Sequence, residues 1–265
     1  MDINKIYCGD CVQLMKQISD NFIDLTVTSP PYDSLRTYKG YKFDFDNVAK
    51  ELYRITKLGG VLVWVVSDET IDGNESGTSF KQALFFKQCG FKLYDTMIYQ
   101  KNMVPFPSSG RYYNVFEYMF VLSKGKPKTI NLLKDRKNVW KSDNYKEINI
   151  RKKDGTIDTR EGLYEQTEYG VRFNIWKYNV GFNFSSIDEI AKKHPAIFSE
   201  KLAEDHILSW SNERDLVLDP MVGSGTTCKM AKLNNRNFLG FDISQEYCDI
   251  ANERLKKYQT IHRWL

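Results

Sequence analysis

The chain has 265 residues, 27% of them charged, and a formal net charge of +4; that length suits one large α/β domain or a domain carrying an insertion. No apolar run approaches the roughly 20 residues of a membrane span, and the opening MDINKIYCGD lacks the charged-then-apolar order of a signal peptide, so a cytoplasmic protein is expected. The five irregularly spaced cysteines argue against a disulfide framework.

In chain order, KIYCGD reads as a short strand ending at Gly9-Asp10. Its Cys8-Gly9-Asp10-Cys11 has C-x-x-C spacing, but a zinc site wants a second pair or nearby histidines. His194, His206 and His262 lie far off, and no metal is expected. A short helix follows over residues 12–18, with Leu14, Met15 and Ile18 on one face. In FIDLTV, Ile23, Leu25 and Val27 alternate with polar residues, the period-two pattern of a strand. That strand runs into Thr28-Ser29-Pro30-Pro31-Tyr32, where two prolines without N–H groups make a stiff turn.

A helix carrying Val48, Leu52 and Ile55 comes next, with Asp46 or Asn47 as its cap and Leu58-Gly59-Gly60 as its close. VLVWVV is a buried strand by its β-branched run. Residues 68–79 are polar and glycine-bearing and read as a surface loop. A helix over residues 80–88, the strand FKLYDTMIY and a strand within YNVFEYMFVLS follow. From about residue 124 to 182 the chain is irregular, basic and rich in aromatics; residues 124–177 hold 14 Lys and Arg against 8 Asp and Glu. A basic segment in a near-neutral chain suggests a polyanion partner, or else a solvated insertion. The α/β pattern then returns with a helix near residues 199–210, the strand DLVLD, a helix after Gly225, the strand FLGFD and a helix over residues 245–257. Strands alternating with helices indicate a mainly parallel sheet.

LVLDPMVGSGTTCKMA is a strand, a Gly223-Ser224-Gly225 turn and a helix start, a junction at which backbone approaches a ligand closely. Cys228 stands where a dinucleotide fingerprint would carry its third glycine, which disfavours a pyrophosphate. Asp242 ends the next strand 19 residues after Gly223, the spacing of a ribose-binding acid. The two together point to S-adenosylmethionine, an adenosine with a carboxylate and no pyrophosphate; a ligand-free glycine turn with a helix-capping Asp is the alternative.

These stretches, in this order, resemble the amino-methyltransferases of prokaryotic restriction-modification systems in the beta arrangement, where the catalytic motif precedes the cofactor motif. TSPPY matches the catalytic motif, DPMVGSGTT the cofactor loop and FLGFDIS the ribose-binding strand. Cys8-Gly9-Asp10-Cys11 resembles the opening strand near the adenine, KHPAIFSEKL the segment flanking the methionine end, and VFEYMFVLSKGKP the strand leading into the recognition region. Ser199 departs from the proline more usual after HPAIF.

The resemblance implies a Rossmann-like, mostly parallel methyltransferase sheet with circularly permuted motifs. It implies a catalytic part in residues 1–123, a target-recognition insertion in 124–182 and a cofactor-binding part in 183–265. Ser29, Pro30, Pro31 and Tyr32 would form the catalytic turn; Asp10, Cys11, His194, Asp219, Pro220, Met221, Gly223, Ser224, Gly225, Thr226 and Asp242 would line the S-adenosylmethionine site. Arg36, Arg151, Lys152 and Lys153 would contact DNA phosphates.

The expected substrate is a base flipped from duplex DNA, in a prokaryotic cell, with a restriction endonuclease acting on the same site as a candidate partner. In the family, Ser at the head of this motif accompanies cytosine N4 methylation and Asp or Asn accompanies adenine N6. Ser29 therefore favours N4-cytosine, with N6-adenine the alternative. Cytosine C5 chemistry needs a thiolate, typically in a Pro-Cys pair, and none of the seven prolines precedes a cysteine. A DNA-binding regulator without activity and a methyltransferase of structured RNA are the remaining rivals.

Overall fold

The computed structural model describes residues 1–31, 43–102, 110–138, 147–161, 167–181, 184–194 and 197–258. β1 (Lys5–Cys8) leads into α1 (Cys11–Met15), which Asp10 caps by accepting from the Gln13 N–H at 2.9 Å. β2 is Ile23–Thr28, and α2 (Phe45–Ile55) buries Val48, Ala49, Leu52 and Ile55 along one stripe. The cap of α2 is Asp44, not Asp46 or Asn47: its carboxylate takes the Asn47 side-chain amide at 2.7 Å, and Asp46 falls in the first turn, where the helix dipole favours it. The helix closes before the glycine pair. The Thr56 hydroxyl donates back to the Leu52 carbonyl at 2.6 Å, and Gly59 and Gly60 belong to β3 (Thr56–Val66).

Residues 68–79 hold a minimal hairpin, β4 (Thr70–Ile71) and β5 (Asn74–Glu75), turned by Asp72 and Gly73 at φ 49° and 76°. Asp-Gly with both φ positive is the turn that matches strand twist. α3 (Thr78–Cys89), β6 (Lys92–Lys101) and β7 (Phe116–Ser123) follow. Next come β8 (Arg136–Lys137), β9 (Glu147–Arg151), β10 (Ile157–Glu161), β11 (Tyr169–Gly170) and β12 (Ile175–Tyr178). A 3-10 turn (Glu189–Lys193), α4 (Glu200–Trp210), β13 (Leu216–Asp219), α5 (Thr226–Leu233), β14 (Asn237–Asp242) and α6 (Gln245–Lys257) complete the described chain. Among the described residues no helix is long and apolar enough to cross a membrane.

Among the described residues eight strands form one sheet in the order β1-β14-β13-β2-β3-β7-β6-β12. Every neighbouring pair is parallel except the two made by β7. The expected Rossmann-like sheet is therefore present, and the two strands nearest the end of the chain sit between the two nearest its start. Leu62, Trp64 and Val66 of β3 join a core with α1, α2 and α3; the intervening Val61, Val63 and Val65, also buried, face the other side. α4, α5 and α6 pack as a second group. β2 leads into the first group and β13 into the second, so the order reverses between them. In open α/β sheets, ligands bind beyond the strand ends at such a reversal.

The chain divides into two compact units, Met1–Asn131 with Asn174–Leu265, and Leu132–Phe173. The second unit is narrower than the expected 124–182 segment. β12 is a strand of the main sheet, and residues 124–131 bond back to the first unit through Lys128 N to Gly59 O at 2.9 Å and Asn131 N to Ser209 O at 2.8 Å. By itself the second unit holds, among its described residues, the antiparallel β9–β10 hairpin and the β8–β11 pair, with Arg172 bonded to Asp135 and the Arg136 guanidinium 4.6 Å from the centre of the Phe173 ring.

Candidate active site

The C-terminal ends of β1, β14, β13 and β2 lie side by side, and each carries a polar group the sequence singled out. Cα partners are Cys8 and Asp242, Asp219 and Gly240, and Leu218 and Thr26. At neighbouring-strand spacings of about 4.8 Å, Asp10, Asp242, Asp219 and Ser29 are brought to one edge within about 15 Å. Ser29 and Pro31 are half-buried there and Pro30 is buried. Tyr32 and Arg36 lie outside the described residues.

Hydrogen bonds tie the two motifs together. The Thr28 hydroxyl, immediately before Ser29, donates to Asp219 Oδ1 at 2.8 Å, and the Thr227 hydroxyl donates to the Val27 carbonyl at 3.2 Å. Asp219 also accepts the Met221 N–H at 3.2 Å. Burial pushes its carboxyl up to about 6, against the pull of the Thr28 and Met221 donors. Sequence reading placed Asp219 in the cofactor loop but missed Thr28, whose partner is 191 residues away. Pro220 is buried and Met221 half-buried beside it.

The glycine turn is built around Asp242. Gly223 N–H donates to its Oδ2 and Ser244 N–H to its Oδ1, both at 2.9 Å. Burial raises this carboxyl too, opposed by those backbone donors. Each carboxylate oxygen keeps acceptor capacity, the chemistry a vicinal ribose diol requires. Gly223 has φ 49° and Gly225 φ 85°, and a Cβ on Gly225 would stand 2.7 Å from the Ala251 Cβ. A Cβ on Gly223 would come within 3.0 Å of His194 Nε2, so the buried His194 ring closes over the turn; it packs edge-on against Tyr247 with centroids 4.3 Å apart. The glycines are thus required by space as well as by conformation. Cys11 is half-buried, its thiol pushed up to about 12 by burial and by the adjacent Asp10 charge, which leaves it without thiolate character at neutral pH.

Ser224 and Thr226 are fully buried, and both hydroxyls bond to Arg254, a residue the sequence reading did not select. Arg254 is 0% exposed and sits with Lys229, Asp188, Glu200 and Tyr258 in a closed cluster behind the turn. Burial raises the Asp188 carboxyl, but donors from Lys229, Arg254 and Tyr258 outweigh it and hold the group below its ordinary value. The signal was present in the pattern: Arg254 follows Ile250 by four and Ala251 by three, on the apolar face of α6. Arg151, Lys152 and Lys153 fall on the exposed end of the β9–β10 hairpin in the second unit.

Comparison with known proteins agrees with this arrangement. A family model described as DNA methylase matches residues 23–253. The orphan methyltransferase M.BamHII of Bacillus amyloliquefaciens is 59% identical over 251 residues, spanning 94% of this chain and 95% of that protein. Among solved structures, the PvuII DNA methyltransferase (cytosine-N4-specific) superposes with a TM-score of 0.70 at 19% identity, over 97% of this chain and 90% of the other. TTHA0409 of Thermus thermophilus, complexed with S-adenosyl-L-methionine, superposes with a TM-score of 0.64 at 21% identity, over 96% and 93%. At these identities the two structures establish the fold.

Proposed function

The chain belongs to the N6/N4 DNA methylase family, whose methyl donor is S-adenosylmethionine, and on that premise we propose that it methylates the N4 amino group of a cytosine in duplex DNA. The observation that carries the choice of base is Ser29, the residue that heads the proline turn at the end of β2.

An exocyclic amino group is a weak nucleophile because its lone pair is delocalised into the ring. The Ser29 hydroxyl and the Pro30 carbonyl accept its two hydrogens, which favours a pyramidal nitrogen with its lone pair free, and the paired prolines hold that carbonyl in place. By its place in the motif Tyr32 would stack on the extruded base; such stacking is worth about 1–3 kcal/mol, comparable with the few kcal/mol that flipping costs. When bound, S-adenosylmethionine supplies an electrophilic methyl on its sulfonium. Asp242 would receive the ribose hydroxyls, Asp10 and Cys11 would border the adenine, and His194 would flank the methionine end. Asp219 at the end of β13, Pro220, Met221, Gly223, Ser224 and Gly225 of the loop, and Thr226 at the start of α5 would line the site between them. Asp219, through Thr28, fixes the catalytic turn relative to that loop.

The Leu132–Phe173 unit serves as the target-recognition region, with Arg151, Lys152 and Lys153, and Arg36 elsewhere in the chain, neutralising phosphates. M.BamHII is called an orphan methyltransferase, and at 59% identity this supports action without a partner endonuclease over the paired arrangement. Nucleoside mass analysis of DNA treated with the purified protein and S-adenosylmethionine tests the reading. N4-methylcytosine is expected; N6-methyladenine alone would overturn the choice of base, and cofactor and DNA binding without any methylated nucleoside would make the protein a regulator.

A further inference from the structure

Ser224 lies between two glycines in the left-handed region, Gly223 at φ 49° and Gly225 at φ 85°. Glycine takes either sign of φ at little cost, so the peptide planes around Ser224 depend on their hydrogen bonds: Gly223 N–H donates to Asp242 Oδ2 at 2.9 Å and Gly225 N–H to the Val222 carbonyl at 2.8 Å. Gly225 is the N-cap of α5 and offers no side-chain bond to stiffen the turn. Arg254 adds a donor for the Ser224 carbonyl from behind the turn. Its Nη1 donates to the Ser224 carbonyl at 2.6 Å, to Ser224 Oγ at 3.1 Å and to Thr226 Oγ1 at 3.2 Å.

The guanidinium is itself fixed on its other edges. Nε donates to Asp188 Oδ2 at 3.0 Å, and Nη2 donates to Glu200 Oε1 at 2.7 Å and Ser186 Oγ at 3.2 Å. Those carboxylates are held in turn by Lys229 Nζ, 2.9 Å from Asp188 and 2.8 Å from Glu200, and Asp188 is held also by the Tyr258 hydroxyl at 2.8 Å. Two cations meet two carboxylates, so the cluster has no net formal charge and adds little field at the cofactor loop. Its effect is geometric. With the Ser224 carbonyl turned inward to a fixed donor, the turn does not present that oxygen to an anionic ligand group.

We propose that Arg254 is a positioning residue for the methyl-donor loop: through the Ser224 carbonyl, the buried cluster sets the shape of the Gly223–Gly225 turn and with it the affinity for the cofactor. The inference rests on the cofactor reading above. Lysine carries the charge but gathers its donors at one point and cannot serve the carbonyl and both carboxylates at once.

Titration of S-adenosylhomocysteine into wild-type and R254K protein, each checked for folded secondary structure, tests it, with DNA affinity measured without cofactor as the internal control. R254K is expected to weaken S-adenosylhomocysteine by about tenfold or more, the equivalent of one charge-assisted hydrogen bond, while DNA affinity holds. E200Q, which keeps the side chain's shape and an acceptor but removes the charge that strengthens its bonds to the guanidinium and to Lys229, is expected to weaken it several-fold and covers the case in which R254K does not fold. Wild-type affinity in the folded variants, or an equal loss of cofactor and DNA binding, overturns the inference alone. Failure of the wild-type protein to bind S-adenosylhomocysteine overturns the cofactor reading, and the inference with it.

Discussion

Asp219 is buried where β13 meets β2, and its raised carboxyl makes a testable link between pH and stability. Between its ordinary value of 3.8 and the folded value of about 6, the unfolded chain releases this proton while the folded chain keeps it. Its stabilising contribution is therefore whole below pH 3.8 and is lost as pH rises through about 6. Integrated, that is about 3 kcal/mol. Asp219→Asn removes the titration but keeps an acceptor for Thr28, so the stability of wild type minus variant, from urea unfolding, should fall by about that amount between pH 4 and 7 and flatten above. Parallel profiles would show that the carboxyl titrates normally. Ser29→Ala is expected to lower kcat about a hundredfold, the usual effect of losing one preorganised hydrogen bond at the reacting group, with little change in cofactor affinity. An equal loss in binding would move Ser29 out of the chemistry.

Elements with strong local grammar were legible before any coordinates. β2, β13, β14 and α6 were readable because apolar alternation, a continuous apolar run or helical spacing coincides with a glycine or proline boundary. The cap of α2 was not, because Asp44, Asp46 and Asn47 are all competent caps and the choice is made by where Val48 and Leu52 must face the core. The Asp72-Gly73 hairpin carried a turn signature but too few flanking strand residues to be read. Contacts such as Thr28 with Asp219 have no local signal at all, and the Arg254 cluster had only a weak one. The turn before α5 gives the prediction at this scale. Gly225→Ala places a side chain at φ 85° and a Cβ 2.7 Å from the Ala251 Cβ; the left-handed backbone alone costs about 1–2 kcal/mol, so the melting temperature and cofactor affinity should fall together. An unchanged melting temperature would mean that the turn relaxes freely.

For the whole molecule, the formal net charge of +4 is less informative than where the charge sits. If Arg151, Lys152 and Lys153 each neutralise a phosphate, replacing all three by Ala should reduce the slope of log affinity against log salt by roughly 2.7. An unaltered slope would place the DNA elsewhere. The sheet order has a further consequence, for synthesis. β1 and β2 leave the ribosome well before β13 and β14, yet neither is the other's neighbour; β13 and β14 fill the gap between them. The nascent chain must carry an unfinished seam through most of translation, with exposed strand edges that a chaperone would recognise, until the final strand drops into place. Refolding from denaturant should accordingly proceed in a slow phase that closes this seam, and a chain halted after β13 should remain a collapsed, cofactor-blind intermediate.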